Sequence, residues 1–290
     1  MHAPGGPHIC RGRAVVSSLF VLTGVLAGCG SSRPASAPPT SRSGSSTAST
    51  TAATTTTTPT TTPTQPPATT AATTTTRPSG PAVVVRHGAV NHRRIALTFD
   101  AGSDAGNTAA ILDLLAARHV RATFSLTGAW TRANPQLAQR IAREGHTIVN
   151  HTDTHRSFTG FSTGTPPLTS AERTAQLSRG DAAIVAATGR SSKPWFRPPF
   201  GDIDASTPVD VARSGYRYVL LWTVDSLGWK GLPPATVIAR CLDGATPGAI
   251  LLLHVGSAST DFAALPGILD GLGARGFSLV TVATPGFVTG

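Results

Sequence analysis

The sequence predicts an α/β fold in which parallel strands, each followed by a helix, form a (β/α) barrel of about seven strands. Short apolar segments rich in β-branched and aromatic residues alternate with segments of helical periodicity. The alternation recurs about seven times within roughly 205 residues. Strands joined through helices pair in parallel, and this number of repeats favours a barrel over an open doubly wound sheet.

The predicted elements begin with strand 94–99, "RIALTF", and helix 107–119, which has one apolar face. Strand 121–128 and helix 134–145 form the next unit, and this helix begins at Asn-Pro and ends at Gly. The remaining segments are strand 146–150, helix 169–189, strand 195–201, helix 207–215, strand 216–222, helix 234–242, strand 249–254, helix 260–276 and strand 277–282.

The first residues are typical of an export signal. Arg11 and Arg13 precede the apolar stretch 14–28, which is too short for a good membrane span. The stretch ends in "LAGC", small residues followed by Cys29, which resembles a bacterial lipobox. We therefore predict a lipoprotein signal peptide at 1–28 and lipidation of Cys29, with an ordinary cleaved signal as the alternative.

Residues 29–81 are predicted to be the lipidated cysteine and a disordered linker, because Ser, Thr, Pro and Ala cannot bury enough apolar surface to offset chain entropy. As a flexible coil this linker would span about 39 Å. The globular domain is predicted at 82–290. Of the three cysteines only Cys241 falls within it, so no internal disulfide is expected there, and Cys241 is predicted to be a small buried residue.

The net charge of +10 is unevenly distributed. Residues 1–81 contain five arginines and no acid, whereas the rest of the chain has nineteen Lys and Arg beside fourteen acids. The chain contains no Lys/Arg-rich run and no basic stripe interleaved with aromatic residues. We therefore expect no nucleic-acid partner.

Polar side chains recur where predicted strands end. In a parallel barrel the carboxyl ends of the strands converge on one face, where active sites are built. Structural polar residues scattered at random would not keep this register. The sequence therefore predicts a site formed by Asp100, His151, His155, Arg197, Asp225 and His254.

The chemistry of these residue types is suited to metal-assisted catalysis. On a helical turn, the spacing in "HTDTH" would bring His151 and His155 within reach of one cation. His254 ends a very apolar strand, where an imidazole pKa can be tuned for acid catalysis. Arg197 would keep Asp100 ionised. The alternatives are a polar loop, a satisfied core histidine and a surface arginine, respectively.

Five motifs occur in order: "TFDAG", "HTDTH", "RPPFG", "DSLGW" and "LLLH". With them the chain resembles the NodB-like polysaccharide deacetylases, carbohydrate esterase family four, over about residues 93–285. The resemblance implies a distorted (β/α) barrel and metal-dependent removal of N-acetyl or O-acetyl groups from glycans. It also implies one divalent metal ion, usually zinc.

The resemblance further implies a role for each matching residue. Asp100 would be the general base, paired with Arg197. His151 and His155 would hold the metal, and His254 would protonate the departing amine.

Three more residues would bind substrate according to the same resemblance. The backbone N–H near Phe200 would donate to the oxyanion, Trp229 would line the sugar groove, and Leu252 would shape the acetyl pocket.

The chain departs from the family pattern at two positions. Ala101 stands where the family has a second acid that serves as the third metal ligand, and Asp104 is the candidate substitute in the same loop. Gly228 stands where an acid often precedes the motif tryptophan. Asp225 is therefore predicted to be the partner that tunes His254.

The sequence thus predicts an exported deacetylase of cell-envelope glycan, peptidoglycan above all, anchored to the outer face of the cytoplasmic membrane and reaching into the wall. One alternative is a glycan-binding wall protein on the same fold with impaired catalysis. Another is an amide hydrolase acting on a small molecule. The sequence does not indicate an oligomeric state.

Overall fold

A computed structural model describes residues 80–289 of the chain. All nine strands in this part pair in parallel, in the order β1-β6-β5-β4-β3-β2-β8-β7, and β9 also pairs with β2. The strands are β1 (Val83–Val85), β2 (Arg94–Ala101), β3 (Thr123–Leu126), β4 (Thr147–Asn150), β5 (Trp195–Phe196), β6 (Tyr218–Leu220), β7 (Val224–Asp225), β8 (Ile250–His254) and β9 (Ser278–Val280).

Helices connect most of the strands. They are α1 (Thr108–Ala117), α2 (Gly128–Ala133), α3 (Pro135–Arg143), α4 (Ser170–Thr188), α5 (Thr207–Arg213), α6 (Pro234–Asp243) and α7 (Asp261–Ala274). The longest, α4, begins with a capping box in which Thr169 and Glu172 bond reciprocally and ends at Gly189 in the left-handed conformation. The main apolar core joins α1, α3, α6 and α7 to β2, β3 and β8.

Strand β2 determines where the site lies. Seven of its eight residues are buried, since it is paired on both sides with β3 and β8. Its register sets Asp100 level with Ser125 of β3 and His254 of β8. Side chains at the ends of these three strands are therefore neighbours at one edge of the sheet.

The two ends of the strand order are bridged by the segment between β6 and β7. The Leu221 N–H donates to Val85 O at 2.8 Å, and the Thr223 hydroxyl donates to Arg86 O at 2.9 Å. The Thr223 N–H donates to Ile250 O at 2.9 Å. The sheet is thus a curled, parallel, distorted barrel, which confirms the predicted fold class.

Most predicted elements are present near their expected positions. The sequence did not predict β1, β7 and α2, each at most six residues long.

Cys241 is fully buried on α6, and burial raises the pKa of its thiol to about 12. Among the described helices, none combines the length and apolar character needed to cross a membrane. The predicted signal peptide, Cys29 and linker lie outside the described residues, apart from the last two linker residues.

Candidate active site

One cavity of about 380 Å³ opens at the carboxyl ends of β2, β4, β5 and β8. Eight residues singled out from the sequence line it: Asp100, His151, His155, Phe200, Asp225, Trp229, Leu252 and His254. Its wall also contains Trp222, which the sequence reading missed. The register of the strands therefore brings most of the sequence-predicted site into one pocket.

The Asp100 carboxylate is held by two neighbours. Arg197 Nη1 donates to Asp100 Oδ1 at 2.7 Å, and His151 Nε2 lies 3.4 Å from Asp100 Oδ2. Burial alone would raise the pKa of Asp100, but Arg197, His151 and His254 together lower it well below its ordinary value. Asp100 is therefore a carboxylate at neutral pH, as a general base must be.

Arg197 lies behind Asp100 and is entirely buried, so it is not a surface arginine on a rigid turn. Its N–H donates to Asn150 O at 2.8 Å, which joins β5 to β4. Its Nη2 donates to Leu221 O at 3.3 Å, and its guanidinium lies 5.9 Å from the Trp222 ring centre. A buried charge requires such a set of partners.

The two histidines of "HTDTH" meet in a loop rather than on the helical turn that the spacing suggested. Thr152 and His155 both have positive φ, 70° and 60°. The Thr152 N–H donates to Asn150 Oδ1 at 2.8 Å, and the His155 N–H donates to Thr152 Oγ1 at 3.0 Å. These bonds fold the loop so that the His151 and His155 rings lie 4.8 Å apart, edge to face.

The donor chemistry of this pair fits a divalent metal ion. His151 Nδ1 lies 2.8 Å from Arg197 O, so a proton on Nδ1 leaves Nε2 free as an electron-pair donor, the usual arrangement for a metal-bound histidine. Burial lowers the pKa of His151, and burial followed by His151 lowers the pKa of His155 to about 3. Both rings are therefore neutral at physiological pH, which is the form of imidazole that binds a metal ion.

The third protein ligand is missing from this arrangement. Ala101 has no donor atom and belongs to the main apolar core. Asp104, the predicted substitute, instead accepts hydrogen bonds from the Ser257 N–H at 2.9 Å and from the Ser257 hydroxyl. Within residues 80–289, no group of three His, Cys, Asp or Glu side chains is placed to hold a metal. The structure thus offers two nitrogen ligands, and Asp104 does not join them.

His254, at the end of β8, contacts a carboxylate that the sequence reading missed. Asp261 Oδ2 lies 3.6 Å from His254 Nδ1, and the same oxygen accepts the His254 N–H at 2.8 Å. Asp225, the predicted partner, makes no ion pair with His254 within 4 Å among the described residues. Burial would lower the pKa of His254, but Asp261, Asp100 and Asp225 raise it above its ordinary value.

Asp225 orients the exposed tryptophan at the mouth of the cavity. Both of its oxygens lie 3.2 Å from Trp229 Nε1, and Oδ1 accepts the Leu227 N–H at 2.9 Å. The Trp229 side chain is 48% exposed, and its ring centre lies 6.3 Å from that of His254. A fixed aromatic face is therefore presented to whatever enters the pocket.

Another part of the cavity wall comes from the proline loop after β5. Phe200 has φ 62° and packs edge to face on His155 at 4.8 Å. Gly201 also has positive φ, and a Cβ there would come within 2.6 Å of Trp222, so the loop requires glycine. Leu252, 3% exposed, completes the apolar lining.

The chain is similar to known proteins in sequence and in fold. The family model described as polysaccharide deacetylase matches residues 87–219. A peptidoglycan-N-acetylglucosamine deacetylase from Bacillus cereus is 32% identical over 185 residues, which are 64% of this chain and 62% of that protein. A chitooligosaccharide deacetylase from Rhizobium leguminosarum bv. trifolii is 32% identical over 203 residues, 64% of this chain and 89% of that protein.

A solved structure shares the fold. The crystal structure of the Bc1960 peptidoglycan N-acetylglucosamine deacetylase, in complex with 4-naphthalen-1-yl-N-hydroxybenzamide, is 29% identical, with a TM-score of 0.63 over 71% of this chain and 92% of that one. The present chain spans between 39% and 62% of the length of three curated relatives, one of which is the Bacillus cereus deacetylase above. The chain belongs to the polysaccharide deacetylase family, carbohydrate esterase family four.

Proposed function

We propose that the domain is a hydrolase that removes N-acetyl groups from a cell-envelope glycan, peptidoglycan above all. The observation that carries the proposal is the meeting of a carboxylate, two neutral imidazoles and a third histidine in one aromatic-walled cavity. Similarity to deacetylases of peptidoglycan and chitooligosaccharide supports the substrate class.

Each of these residues has a separate role in the proposed amide hydrolysis. A divalent metal ion, zinc by donor type, would polarise the acetamide carbonyl when held by His151 and His155. Asp100 removes a proton from the attacking water, and the backbone N–H near Phe200 would donate to the carbonyl oxygen as it gains charge. His254 returns a proton to the amine, which leaves as acetate is formed.

Metal binding is the first part of the proposal to test. His155→Ala should remove one of two protein nitrogens and lower the metal content from about one ion per chain to background, with acetate release lost as well. The measurement is metal per chain by mass spectrometry after dialysis of untagged protein, beside acetate release from wall glycan. Asp104→Asn serves as the matched variant and should retain its metal, because its carboxylate is bonded to Ser257.

Three results would count against the proposed function. Full acetate release by His155→Ala would exclude this site as the catalytic centre. Saturable glycan binding by the wild-type protein, without retained metal and without acetate release, would favour the glycan-binding alternative. Release of acetate from small amides but not from glycan oligomers would favour a small-molecule hydrolase.

Trp229 gives a test of the glycan groove. Trp229→Ala should raise KM for glycan oligomers about tenfold, equivalent to about 1.4 kcal/mol, with a smaller effect on kcat. The reason is that the ring is exposed and fixed by Asp225, yet belongs to none of the proton-transfer pairs. Phe161→Ala is the control, since Phe161 is 89% exposed but does not line the cavity. Equal effects of the two variants would contradict a specific role for Trp229.

We further propose that export and lipidation at Cys29 anchor the domain to the outer face of the cytoplasmic membrane. The support is the sequence alone: the apolar stretch ending in "LAGC" and the Ser/Thr/Pro-rich segment after it. Two acyl signals hold a protein at a membrane far more stably than one. A Cys29→Ala variant that stayed in the membrane fraction would contradict the anchor.

A further inference from the structure

Asp261 is the first residue of α7, and its side chain is completely buried beside the cavity. Its Oδ2 accepts hydrogen bonds at 2.8 Å from the His254 N–H and from the Ser259 hydroxyl. The same oxygen lies 3.6 Å from His254 Nδ1. One carboxylate therefore contacts both the backbone and the ring of the histidine that ends β8.

Two polar atoms of this pair lack hydrogen-bond partners within the described part of the chain. They are His254 Nδ1 and Asp261 Oδ1, and both are buried. Leaving a buried polar atom unpaired is unfavourable for folding. A small rotation of the imidazole would turn the 3.6 Å approach into a hydrogen bond from Nδ1–H to the carboxylate, and such bonds commonly shorten when substrate binds.

The chain makes room for this carboxylate at one position. A Cβ on Gly228 would lie 2.1 Å from Asp261 Oδ1, so any side chain there would displace it. The start of α7 is also fastened to the same loop, because the Thr260 N–H donates to Gly228 O at 3.2 Å and its hydroxyl donates to Leu232 O at 2.7 Å. Asp261 thus occupies space that the loop of the fourth motif leaves empty.

We propose that Asp261 is the positioning residue for His254: its carboxylate accepts the Nδ1 proton, fixes the tautomer and ring orientation, and leaves Nε2 to donate into the cavity. The inference rests on the proposed deacetylase function, in which His254 is the acid. The two ring nitrogens lie on opposite edges of imidazole, so binding Nδ1 aims Nε2 at the pocket that His254 lines.

Other charged and titratable groups also act on His254 from neighbouring elements. They are Asp225 on β7, Asp100 on β2, and His151 and His155 in the loop after β4. Burial lowers the pKa of His254, and Asp261 is foremost among the groups that raise it. Within residues 80–289, Asp261 is the only one of these carboxylates with an oxygen within 4 Å of a ring nitrogen of His254.

Asp261→Asn removes the charge and keeps the shape, so it separates electrostatics from packing. We expect the imidazole titration of His254, followed by NMR in the full chain, to move to lower pH. An acid must be protonated to act, so the alkaline limb of the acetate-release profile should move to lower pH too, with a loss of about tenfold or more near pH 8. Asp270→Asn, on the exposed face of the same helix, should change neither profile.

Each outcome supports or overturns either the role of Asp261 or the proposed function. An unchanged His254 titration in folded Asp261→Asn would overturn the proposal. If that variant does not fold, the wild-type tautomer decides: a neutral His254 protonated at Nε2 would overturn the proposal, and one protonated at Nδ1 would support it. Absence of acetate release from every glycan with the wild-type protein would instead overturn the proposed function, while the NMR titration would still decide the pairing.

Discussion

Replacing Asp100 by asparagine is expected to lower acetate release by about 10³-fold, within the range that a general acid or base contributes. Asparagine has nearly the same shape, and its amide oxygen can still accept the bond that Arg197 Nη1 now donates at 2.7 Å. It cannot take a proton from water at neutral pH. The loss should therefore appear in kcat and in kcat/KM by the same factor, with little change in KM.

The control for Asp100→Asn is Asp113→Asn on the exposed face of α1, which should leave acetate release unchanged. The metal content of both variants should equal that of the wild type, because His151 and His155 remain. Wild-type activity in Asp100→Asn would mean that another group accepts the proton. Loss of the metal together with activity would mean that the Asp100 carboxylate, 3.4 Å from His151 Nε2, is itself a ligand.

The proximity of the site residues could be predicted, because it follows from the register of the strands. Asp100 and His254 end neighbouring parallel strands, and the pairing sets them side by side. The chain positions of the other polar residues, each at a strand end, placed His151 and Arg197 at the same edge. This reasoning needs only the period of the sheet and the rule that parallel strands end together.

Contacts made by loops and helix ends could not be predicted in the same way. Asp261 belongs to a helix that begins after β8, and nothing in its own neighbourhood marks it as a partner of His254. The signal that could have found it is the absence of a side chain at Gly228, whose place the Asp261 carboxylate takes. Trp222 was missed for a similar reason, since its ring packs under Gly201 of another loop.

The histidine motif shows a limit of spacing arguments. A separation of four residues is typical of a helical turn. Here the two rings are instead brought together by a loop with left-handed backbone at Thr152 and His155. Hydrogen bonds that the Asn150 and Thr152 side chains accept from backbone N–H groups compete with helical bonding there. The prediction that the rings would meet was right and its geometric reason was wrong.

Arg197→Met is expected to lower the free energy of unfolding by about 3–5 kcal/mol, because it leaves a buried carboxylate without its main partner. Arg197 is fully buried and Asp100 is only 9% exposed, so water compensates poorly for the lost bond. The measurement is urea unfolding of metal-free wild-type and variant protein at neutral pH. The double variant Asp100→Asn/Arg197→Met should be more stable than the sum of the single losses implies, by about 0.5–3 kcal/mol.

The pH dependence of this loss distinguishes charge from packing. The folded-state pKa of Asp100 is held below its ordinary value, so the pair stabilises the fold above the unfolded-state pKa of about 4 and ceases to do so as pH falls through the folded-state pKa. In Arg197→Met the buried carboxyl takes up a proton more readily. The difference in free energy of unfolding between wild type and variant should therefore decrease steadily below about pH 4. Two results would mean that Arg197 acts through packing against Trp222 and not through the charge of Asp100. One is a difference in free energy of unfolding that stays constant with pH. The other is a double variant whose loss of stability equals the sum of the losses in the two single variants.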